Sequence, residues 1–334
     1  MSKILSICVP SYNMEQYLER CVDSMLVDEV LYKLEIIIVN DGSKDGTLAI
    51  ANDYKKRYPD SIVVIDKPNG HYGSCVNASL KVATGKYFRI VDADDWVDSD
   101  ALVEFVNTLE KIDVDCVCTN YTVHNLQEDT VITKNIDLPA NVILDLNSCS
   151  ISKYCTRMHS LTYSLSLLRA INYEQTEGVC YTDTEYVYLP LSRSKSMMFI
   201  DISLYQYYIG RDDQSMNPGV IKKNFMHFIL VNKRLLLEHE KDVKYNRHEN
   251  FIWSIIVKGL VFHSTPYYIL HGENNEMVER TLRNSINLLD QLGICSPRPL
   301  FLYRFHGIPY IHIWYFYKCL AKFELFFFRL FYRI

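Results

Sequence analysis

The sequence contains no C-x-x-C pair, and its ten cysteines are irregularly spaced along 334 residues. This pattern argues against a structural zinc site and against the disulfide framework of a secreted scaffold, so we expect reduced thiols. Neither G-x-G-x-x-G nor G-x-x-x-x-G-K-S/T follows the first predicted strand, which disfavours dinucleotide oxidoreductases and P-loop enzymes. A formal net charge of −5 disfavours a general nucleic-acid binder.

Uninterrupted apolar runs of membrane-spanning length are also missing. The apolar run at residues 4–9 is short and no cleavage site follows it, so we expect a first strand rather than a signal peptide. These features predict a cytoplasmic protein. Hydrophobic residues make up 49% and charged residues 22%, as in a packed globular protein, and the length predicts one large domain plus an accessory one.

Apolar, β-branched runs alternate with amphipathic segments in the first hundred residues. We predict strands over 4–9, 35–39, 62–65 and 87–91, and helices over 13–25, 47–57 and 74–83, the first of them capped by Asn13. This alternation indicates a parallel sheet with helices on both faces. Ligands bind such sheets at the carboxyl ends of the strands.

Polar loops follow each of these strands, at residues 10–13, 40–43, 67–73 and 92–95. The last contains Asp92, Asp94 and Asp95, which repel each other unless a cation lies among them. Mg²⁺ or Mn²⁺ with phosphate oxygens as further ligands is the usual arrangement. The alternative is a solvated acidic turn before a helix, but the convergence of four polar loops at one sheet edge favours the metal.

These loops can divide the recognition of a nucleotide among them. Tyr12 offers a ring for a base, and Asp41 can accept a hydrogen bond from the imide N–H of a uracil. Asp92 can reach a ribose, and Asp94 has the position of a ligand for a metal bound to pyrophosphate. The alternatives are packing for Tyr12 and a simple turn residue for Asp41.

The motifs VPSYN, EIIIVNDGSKDGT and ATGKYFRIVDADDWVD, in this order and spacing, resemble the nucleotide-sugar half of family 2 glycosyltransferases with the GT-A fold. The resemblance is strong over residues 3–110 and weaker to about 215. It implies a Rossmann-like, mostly parallel sheet with a mixed extension, and Asp41, Asp92 and Asp94 as contacts of base, ribose and Mn²⁺ or Mg²⁺. The donor-contacting residues that it implies are Pro10, Tyr12, Asp41, Asn69, Gly70, Ser74, Asn77, Asp92, Ala93 and Arg211.

One departure concerns the third loop. Many members of the family carry an Arg where this chain has Val76, and the stretch KPNGHYGSCVNASL instead resembles a bacterial variant, N-G-x-x-G-S-x-x-N. Ser74 and Asn77 would lie at a helix start, where backbone N–H groups can face a phosphate; simple helix capping is the alternative. His71 can contact the donor or be merely exposed.

The segment EGVCYTDTEYVYLP, residues 177–190, carries the second group of candidate residues. Thr182 and Glu185 fit a capping box, which makes Asp183 the first helical residue, where the helix dipole stabilises a carboxylate. Similar glycosyltransferases have a Glu-Asp pair here whose Asp takes the proton from the acceptor hydroxyl. The resemblance therefore implies Asp183 as the catalytic base, with Glu185 in reserve. A cap residue without chemistry is the alternative.

The remaining sequence predicts a helix at 100–111, strands at 116–123 and 130–136, a helix at 145–159 and a strand pair from 197 into a polar loop at 210–215. In that loop Arg211 can approach the diphosphate. Asp212 and Asp213 can add a metal ligand or be solvated. Beyond residue 218 the composition shifts to helices, so we predict a catalytic domain over 1–217 and a helical region over 218–334.

The resemblance implies an inverting glycosyltransferase that moves a hexose from a UDP-linked nucleotide-sugar to a hydroxyl of a glycan or polyprenyl-linked acceptor in surface polysaccharide synthesis. The rival hypothesis is a non-catalytic partner that binds a nucleotide-sugar or another glycosyltransferase. The missing Glu before Asp183 and the missing Arg at Val76 motivate it, whereas the intact Asp92, Asp94 and Asp183 oppose it. Nucleotidyl transfer is a third alternative, disfavoured because no glycine-rich basic loop follows the first strand.

The tail at 308–334 is crowded with aromatic residues, and at about 100° per residue Lys318, Lys322, Arg329 and Arg333 fall on one stripe. A basic stripe on an aromatic helix suits the surface of an anionic membrane. Packing against the catalytic domain or in a homodimer is the alternative.

We predict that replacing the four basic residues of the tail by Gln weakens binding to anionic vesicles strongly, since each contributes about 1 kcal/mol near such a surface. Co-sedimentation with vesicles measures this, and donor hydrolysis in solution should be little changed. A wild type that does not sediment with vesicles, or a stripe buried in a dimer interface, contradicts the membrane assignment.

Overall fold

The computed structural model describes residues 2–146, 157–211 and 214, scattered positions between 220 and 238, and residues 304–305 and 308–309. The chain divides into two compact units, Met1–Gln214 and Ser215–Ile334, each described by itself. The assignment of a catalytic domain to residues 1–217 and of a helical region to 218–334 stays a prediction. Most of the second unit, including residues 310–334 of the tail, lies outside the described residues.

Strands and helices alternate through the first unit. The strands, in chain order, are β1 (Leu5–Ser11), β2 (Leu34–Asn40), β3 (Ile62–Asp66), β4 (Tyr87–Ile90), β5 (Trp96–Val97), β6 (Cys116–Asn125), β7 (Thr130–Lys134), β8 (Ile143–Asp145), β9 (Leu161–Ser164) and β10 (Ser196–Ile209). The helices are α1 (Leu18–Asp23), α2 (Thr47–Arg57), α3 (His71–Val82), α4 (Ser99–Lys111), α5 (Leu165–Ala170) and α6 (Asp183–Leu191). Short 3-10 helices occupy Leu31–Lys33 and Met158–Ser160.

The ten strands form one sheet in the order β3-β2-β1-β4-β9-β6-β10-β5, with β7 beside β6 and β8 beside β10. The first four are parallel, as predicted. All seven residues of β2 are buried, because helices cover both faces of a parallel sheet. The register pairs Ser11 with Asn40, and Asn40 with Asp66. The polar loops after these strands therefore begin at one edge.

The second half of the sheet is the predicted mixed extension. β9 runs antiparallel between β4 and β6, whereas β6 and β10 are parallel. The predicted strand pair after residue 197 is wrong, because β10 is one continuous strand. A register shift between Ile200 and Ser203 absorbs the polar interruption. Farther along, Tyr205 and Gln206 pair with β5, which attaches the acidic loop after β4 to the mixed half.

Three predicted helix boundaries are also wrong. Asn13 does not cap α1: it has φ 54°, and its Oδ1 accepts from the Lys44 N–H at 2.8 Å, so α1 begins later, at Leu18. α3 begins at His71 rather than at residue 74. Where the helix predicted at 145–159 should begin, the structure has the last residue of β8. Residues 147–156 lie outside the described part of the chain.

Arg89 joins the two halves of the sheet through a buried guanidinium group. Its Nη1 donates to the Thr162 hydroxyl at 2.8 Å and its Nη2 donates to the His159 carbonyl. Burial lowers the pKa of Arg89 to about 10. Because a buried charge is costly unless its hydrogen bonds are made, these contacts hold β9 and the preceding 3-10 helix against β4.

In the second unit, β11 (Arg304–Phe305) pairs antiparallel with β12 (Ile308–Pro309). The first two residues of the predicted tail therefore lie in a short strand rather than in a helix. Across the described ranges, every helix falls short of the length and apolar character needed to cross a bilayer.

A close backbone contact joins α3 to the loop of residues 175–178. A Cβ atom at Gly73 would lie 2.2 Å from the Thr176 carbonyl oxygen, and the Gly178 N–H donates to the Gly70 carbonyl at 2.9 Å. A side chain at Gly73 would therefore force the loop away from the helix.

We predict that Gly73→Ala lowers the free energy of unfolding by on the order of 1–3 kcal/mol, the usual cost of overpacking. Gly46→Ala is the matched control, because its Cβ atom would meet only the flexible Glu15 side chain. Urea denaturation compares the two variants. Equal stability of Gly73→Ala and wild type would show that the loop does not pack on α3 in solution.

Candidate active site

Asp95 ties the acidic loop to β10. Its Oδ2 accepts from the Tyr205 hydroxyl at 2.6 Å, and its Oδ1 accepts from the Tyr208 N–H at 2.7 Å. Burial, followed by the neighbouring carboxylates of Asp94 and Asp92, raises its pKa well above the usual value. These contacts fix the position of the loop, so Asp95 has a structural role.

Asp92 keeps a partly exposed carboxylate whose Oδ1 accepts from the Tyr72 hydroxyl at 2.7 Å. Burial is the main cause that raises its pKa to about 7, and the charges of Asp94 and Asp183 raise it further. The effect of Asp183 is informative, because α6 follows β4 by some ninety residues. The predicted ribose contact and the predicted base therefore share one electrostatic environment.

Two arginines supply the positive charge that the acidic loop requires. Arg211 forms an ion pair with the Asp94 carboxylate, and its guanidinium carbon lies 4.3 Å from the centre of the Tyr17 ring. Arg20 donates to the Asp94 carbonyl at 2.6 Å and lies 4.1 Å from the centre of the Trp96 ring. In this structure Asp94 is thus paired with the protein's own cation.

The donor set at this loop fits a hard divalent cation. Ligand atoms of Asp92, Asp95 and His159 lie within 4.8 Å of one another, and the Asp94 carboxylate belongs to the same loop. Burial, with smaller effects of Arg157 and Arg89, lowers the pKa of His159 to about 3, so its ring is neutral and able to ligate. Carboxylate oxygens are the ligands that Mg²⁺ and Mn²⁺ prefer, and Asp94 stays the predicted ligand.

The predicted base-binding residues lie at the ends of β1 and β2. Pro10 is partly exposed near the end of β1, and Tyr12, immediately after it, exposes 46% of its surface. Asp41 is buried after β2, where its Oδ1 accepts from Lys67 Nζ at 2.5 Å and from the Gly70 N–H at 2.9 Å. Tyr12 is thus free for stacking, whereas Asp41 is already held by the third loop.

The remaining residues of the predicted donor site differ in exposure. Asn69 is exposed, and its backbone N–H lies close to Gly42, where a Cβ atom would be 2.9 Å away. Ala93 is buried between Asp92 and Asp94. The Ala93 side chain is a methyl group, so Ala93 contributes the shape and backbone of the loop rather than a polar contact.

The side-chain amide of Asn77 bonds to the loop of residues 175–178, and its phosphate contact stays a prediction. Its Nδ2 donates to the Gln175 carbonyl and to Glu177 Oε1, both at 2.9 Å, and its Oδ1 accepts from the Gln175 N–H at 2.8 Å. Ser74 lies one turn inside α3, where its hydroxyl donates to the His71 carbonyl and accepts from Lys67. Asn77 therefore holds the loop of residues 175–178, and Ser74 supports Lys67.

Asp183 is the first residue of α6, as predicted, but the capping box around it does not form. The Thr182 hydroxyl donates to Gln175 Oε1 at 2.9 Å. Glu185 is fully buried and accepts from the N–H and hydroxyl of Thr176 at 2.7 and 2.6 Å. Glu185 is therefore a loop anchor and not a reserve base. Asp183 is partly exposed, and burial raises its pKa, while the charge of Arg157 opposes that shift.

Asp41, Asp92 and Asp94 follow parallel strands that end at one edge of the sheet, Arg211 pairs with Asp94 there, and the charge of Asp183 acts on Asp92. His71 belongs to the same rim, with φ 63° and its Nδ1 3.7 Å from Cys180 Sγ; Asp212 and Asp213 lie outside the described residues. The sequence reasoning missed the partners of these residues, namely Arg20, Lys67, Tyr72, His159 and Tyr205. Lys67 and Tyr72 lie in a loop that was singled out, whereas no local pattern marks the other three.

Comparison with known proteins gives the same assignment. The family model described as "Glycosyl transferase family 2" matches residues 6–154 of this chain. A chondroitin synthase of Pasteurella multocida (strain Pm70) is 28% identical over 272 residues, which are 79% of this chain and 26% of that protein. The chain thus spans about a quarter of the length of that relative.

Two solved structures share the fold. TarS 1–349 of S. aureus in complex with UDP-GlcNAc has a TM-score of 0.64 at 16% identity, over 96% of this chain and 89% of that one. The mannosyltransferase PcManGT of Pyrobaculum calidifontis in complex with GDP-Man and Mn²⁺ has a TM-score of 0.50 at 14% identity, over 89% and 76%. The predicted GT-A fold is confirmed, and residues 6–154 of the chain match glycosyl transferase family 2.

Proposed function

We propose that this protein transfers a hexose from a UDP-sugar to a hydroxyl of a glycan or polyprenyl-linked acceptor, with inversion at the anomeric carbon. The observation that carries the proposal is the meeting of Asp41, Asp92 and Asp94 with Asp183 at one sheet edge. The Tyr186 hydroxyl of α6 donates to the Phe88 carbonyl of β4 at 3.1 Å, and the charge of Asp183 contributes to the raised pKa of Asp92, which supports placing α6 beside the donor loop.

The names of similar proteins support the substrate class. TarS was solved with UDP-GlcNAc, and PcManGT with GDP-Man and Mn²⁺. The relative from Pasteurella multocida is named a chondroitin synthase, which supports synthesis of a surface polysaccharide as the setting. A nucleotide-sugar is common to the two solved structures, whereas the nucleotide and the sugar differ between them.

Donor binding uses the residues at the ends of β1, β2 and β4. Tyr12 stacks on the base, Asp41 accepts its ring N–H, and Asp92 accepts from the ribose hydroxyls. With a pKa near 7, Asp92 also shares a proton with its surroundings at neutral pH. Arg211, now paired with Asp94, is placed to move to the diphosphate when the donor enters.

A divalent cation completes the donor site. When bound at Asp94, Mn²⁺ or Mg²⁺ neutralises charge on the departing diphosphate. Asp95 holds the loop in place through Tyr205 and Tyr208, and His159 lies close to Asp92 and Asp95. Exchange of Arg211 for the metal on Asp94 would keep the carboxylate compensated in both states.

Asp183 acts as the general base. The acceptor oxygen attacks C1 of the sugar as the bond from C1 to the diphosphate oxygen breaks, and the acceptor proton passes to the Asp183 carboxylate. The electron pair of the broken bond leaves with the nucleoside diphosphate. Burial raises the pKa of Asp183 above the usual aspartate value, which increases its basicity.

The acceptor side of the proposal comes from the tail at residues 308–334. A basic, aromatic carboxyl-terminal segment would hold the enzyme at the inner membrane face, where a polyprenyl-linked acceptor is presented. The rival, a non-catalytic partner that only binds a nucleotide-sugar, predicts donor binding without turnover. The same assay therefore separates the two.

The first test is Asp183→Asn. We predict that kcat for nucleotide release from UDP-sugars falls by a factor on the order of 10²–10⁴, while UDP affinity changes little. In the wild type, activity should fall with decreasing pH through the raised pKa of Asp183, because only the carboxylate form accepts the proton. Enzyme-coupled detection of UDP gives the rate, and calorimetry gives the affinity.

The matched control is Asp60→Asn, at an exposed carboxylate in the loop before β3. It should leave kcat and UDP affinity unchanged. A wild type that binds UDP-sugars without turnover in the presence of glycan acceptors would support the non-catalytic partner. A fully active Asp183→Asn would remove the assigned base.

The second test concerns the metal. We predict that Mn²⁺ alone raises the thermal unfolding temperature of the wild type, since a ligand that binds only the folded state stabilises it by about 2.7 kcal/mol at a hundred times its Kd. Asp94→Asn should lose this response. Arg211→Gln should increase it, because the guanidinium group no longer competes for the Asp94 carboxylate.

Arg57→Gln serves as the control, because its ion pair with Asp53 is exposed on α2. Its response to Mn²⁺ should match that of the wild type. Identical Mn²⁺ shifts in wild type and Asp94→Asn would place the cation elsewhere or exclude it.

A further inference from the structure

The ammonium group of Lys67 is held beside Asp41 by three acceptors. Nζ lies 2.5 Å from Asp41 Oδ1 and 2.8 Å from both the Ser74 hydroxyl and the Pro68 carbonyl. The side chain of Lys67 is 20% exposed and that of Asp41 only 4%. Ser74 is itself fixed by its bond to the His71 carbonyl. Lys67 is thus a positioned charge and not a solvated surface lysine.

The two carboxylate oxygens of Asp41 accept different numbers of hydrogen bonds. Both Lys67 Nζ and the Gly70 N–H donate to Oδ1. A carboxylate oxygen has about two acceptor sites, so Oδ1 is filled. Burial, followed by the charge of Asp41, raises the pKa of Cys75 to about 12, and the un-ionised thiol hydrogen-bonds to this carboxylate. Because a thiol is a weak donor, the second oxygen of Asp41 can still accept from a strong external donor.

We propose that Lys67 makes this site selective for the uracil base, by filling Asp41 Oδ1 and by donating to the base carbonyl beside the ring N–H. This inference rests on the proposed nucleotide-sugar site and deepens it. Uracil presents one N–H between two carbonyl groups, which matches one carboxylate oxygen next to an ammonium group. The base carbonyl replaces the exposed Pro68 carbonyl as the third acceptor of Lys67.

Other bases fit this arrangement poorly. Guanine presents an N–H and an adjacent NH₂ group, and pairing both with Asp41 would require the two oxygens, of which Oδ1 is filled. Cytosine presents an unprotonated ring nitrogen at this position. That nitrogen and the Asp41 carboxylate are both acceptors, so no hydrogen bond forms between them. Sites built around buried polar groups discriminate strongly, because a wrong ligand leaves such groups unpaired. Lys67 also supplies positive charge just before α3, the helix that has Val76 in place of the family's Arg.

The test compares Lys67→Met with wild type in calorimetric titrations with UDP, GDP and CDP. We predict that wild type binds UDP at least tenfold more tightly than GDP or CDP. In Lys67→Met the ratio of UDP to GDP affinity should fall at least tenfold, because UDP loses a charge-assisted hydrogen bond and Oδ1 becomes free for guanine. Ser74→Ala, which removes one support of Lys67, should lower the ratio less.

Lys56→Met, at an exposed lysine on α2, is the matched control and should keep the wild-type ratio. Thermal unfolding of each variant verifies that it is folded, and Lys67→Gln, which also removes the charge, replaces Lys67→Met if that variant does not fold. If UDP selectivity is unchanged in the charge-removing variant, the assigned role of Lys67 is overturned while the proposed function stands. Wild type that binds none of the three nucleotides would overturn the proposed function together with this inference.

Discussion

Three carboxylates within four residues at the end of β4 repel one another, and much of the surrounding structure compensates for that repulsion. Because the loop is largely buried, the charges are poorly screened and each needs its own partner. Asp95 is held by tyrosine and backbone donors from β10, Asp92 by Tyr72, and Asp94 by Arg211. Arg20 adds positive charge at the backbone of the same loop.

The three carboxylates differ in exposure and in the partners that bond to them. Asp95 is fully enclosed, so its bonds to Tyr205 and Tyr208 anchor β10 to the acidic loop. Asp92 and Asp94 are partly exposed, and the side chains of Tyr72 and Arg211 bond to their carboxylates. Neighbouring titratable groups with such different environments are typical of sites where acid, base and ligand roles are separated.

The loop of residues 175–178 couples the donor side to the base. α3 packs closely against this loop at Gly73, which has no side chain, and the Asn77 amide hydrogen-bonds to it. Glu185 of α6 bonds to the same loop. The pattern N-G-x-x-G-S-x-x-N therefore combines two tasks. Its second glycine and its last asparagine position the segment that leads to Asp183, and its serine supports Lys67.

The sequence by itself determined the parallel half of the sheet, the four polar loops at its edge and Asp183 at the start of α6. Those features depend on short-range patterns: apolar runs of strand length, turn residues after them and the period of a helix. Strand alternation alone then placed Asp41, Asp92 and Asp94 at one edge, because parallel strands end together.

Only the tertiary structure decided which side chains those residues meet. Arg211 pairs with Asp94 across 117 positions, Tyr205 reaches Asp95 across 110, and Asn77 bonds Gln175 across 98. Likewise, Glu185 fits a capping box locally, yet a buried bond to Thr176 takes its place. A local pattern records propensity and burial but not the partner, because the partner is set by how distant segments pack against each other.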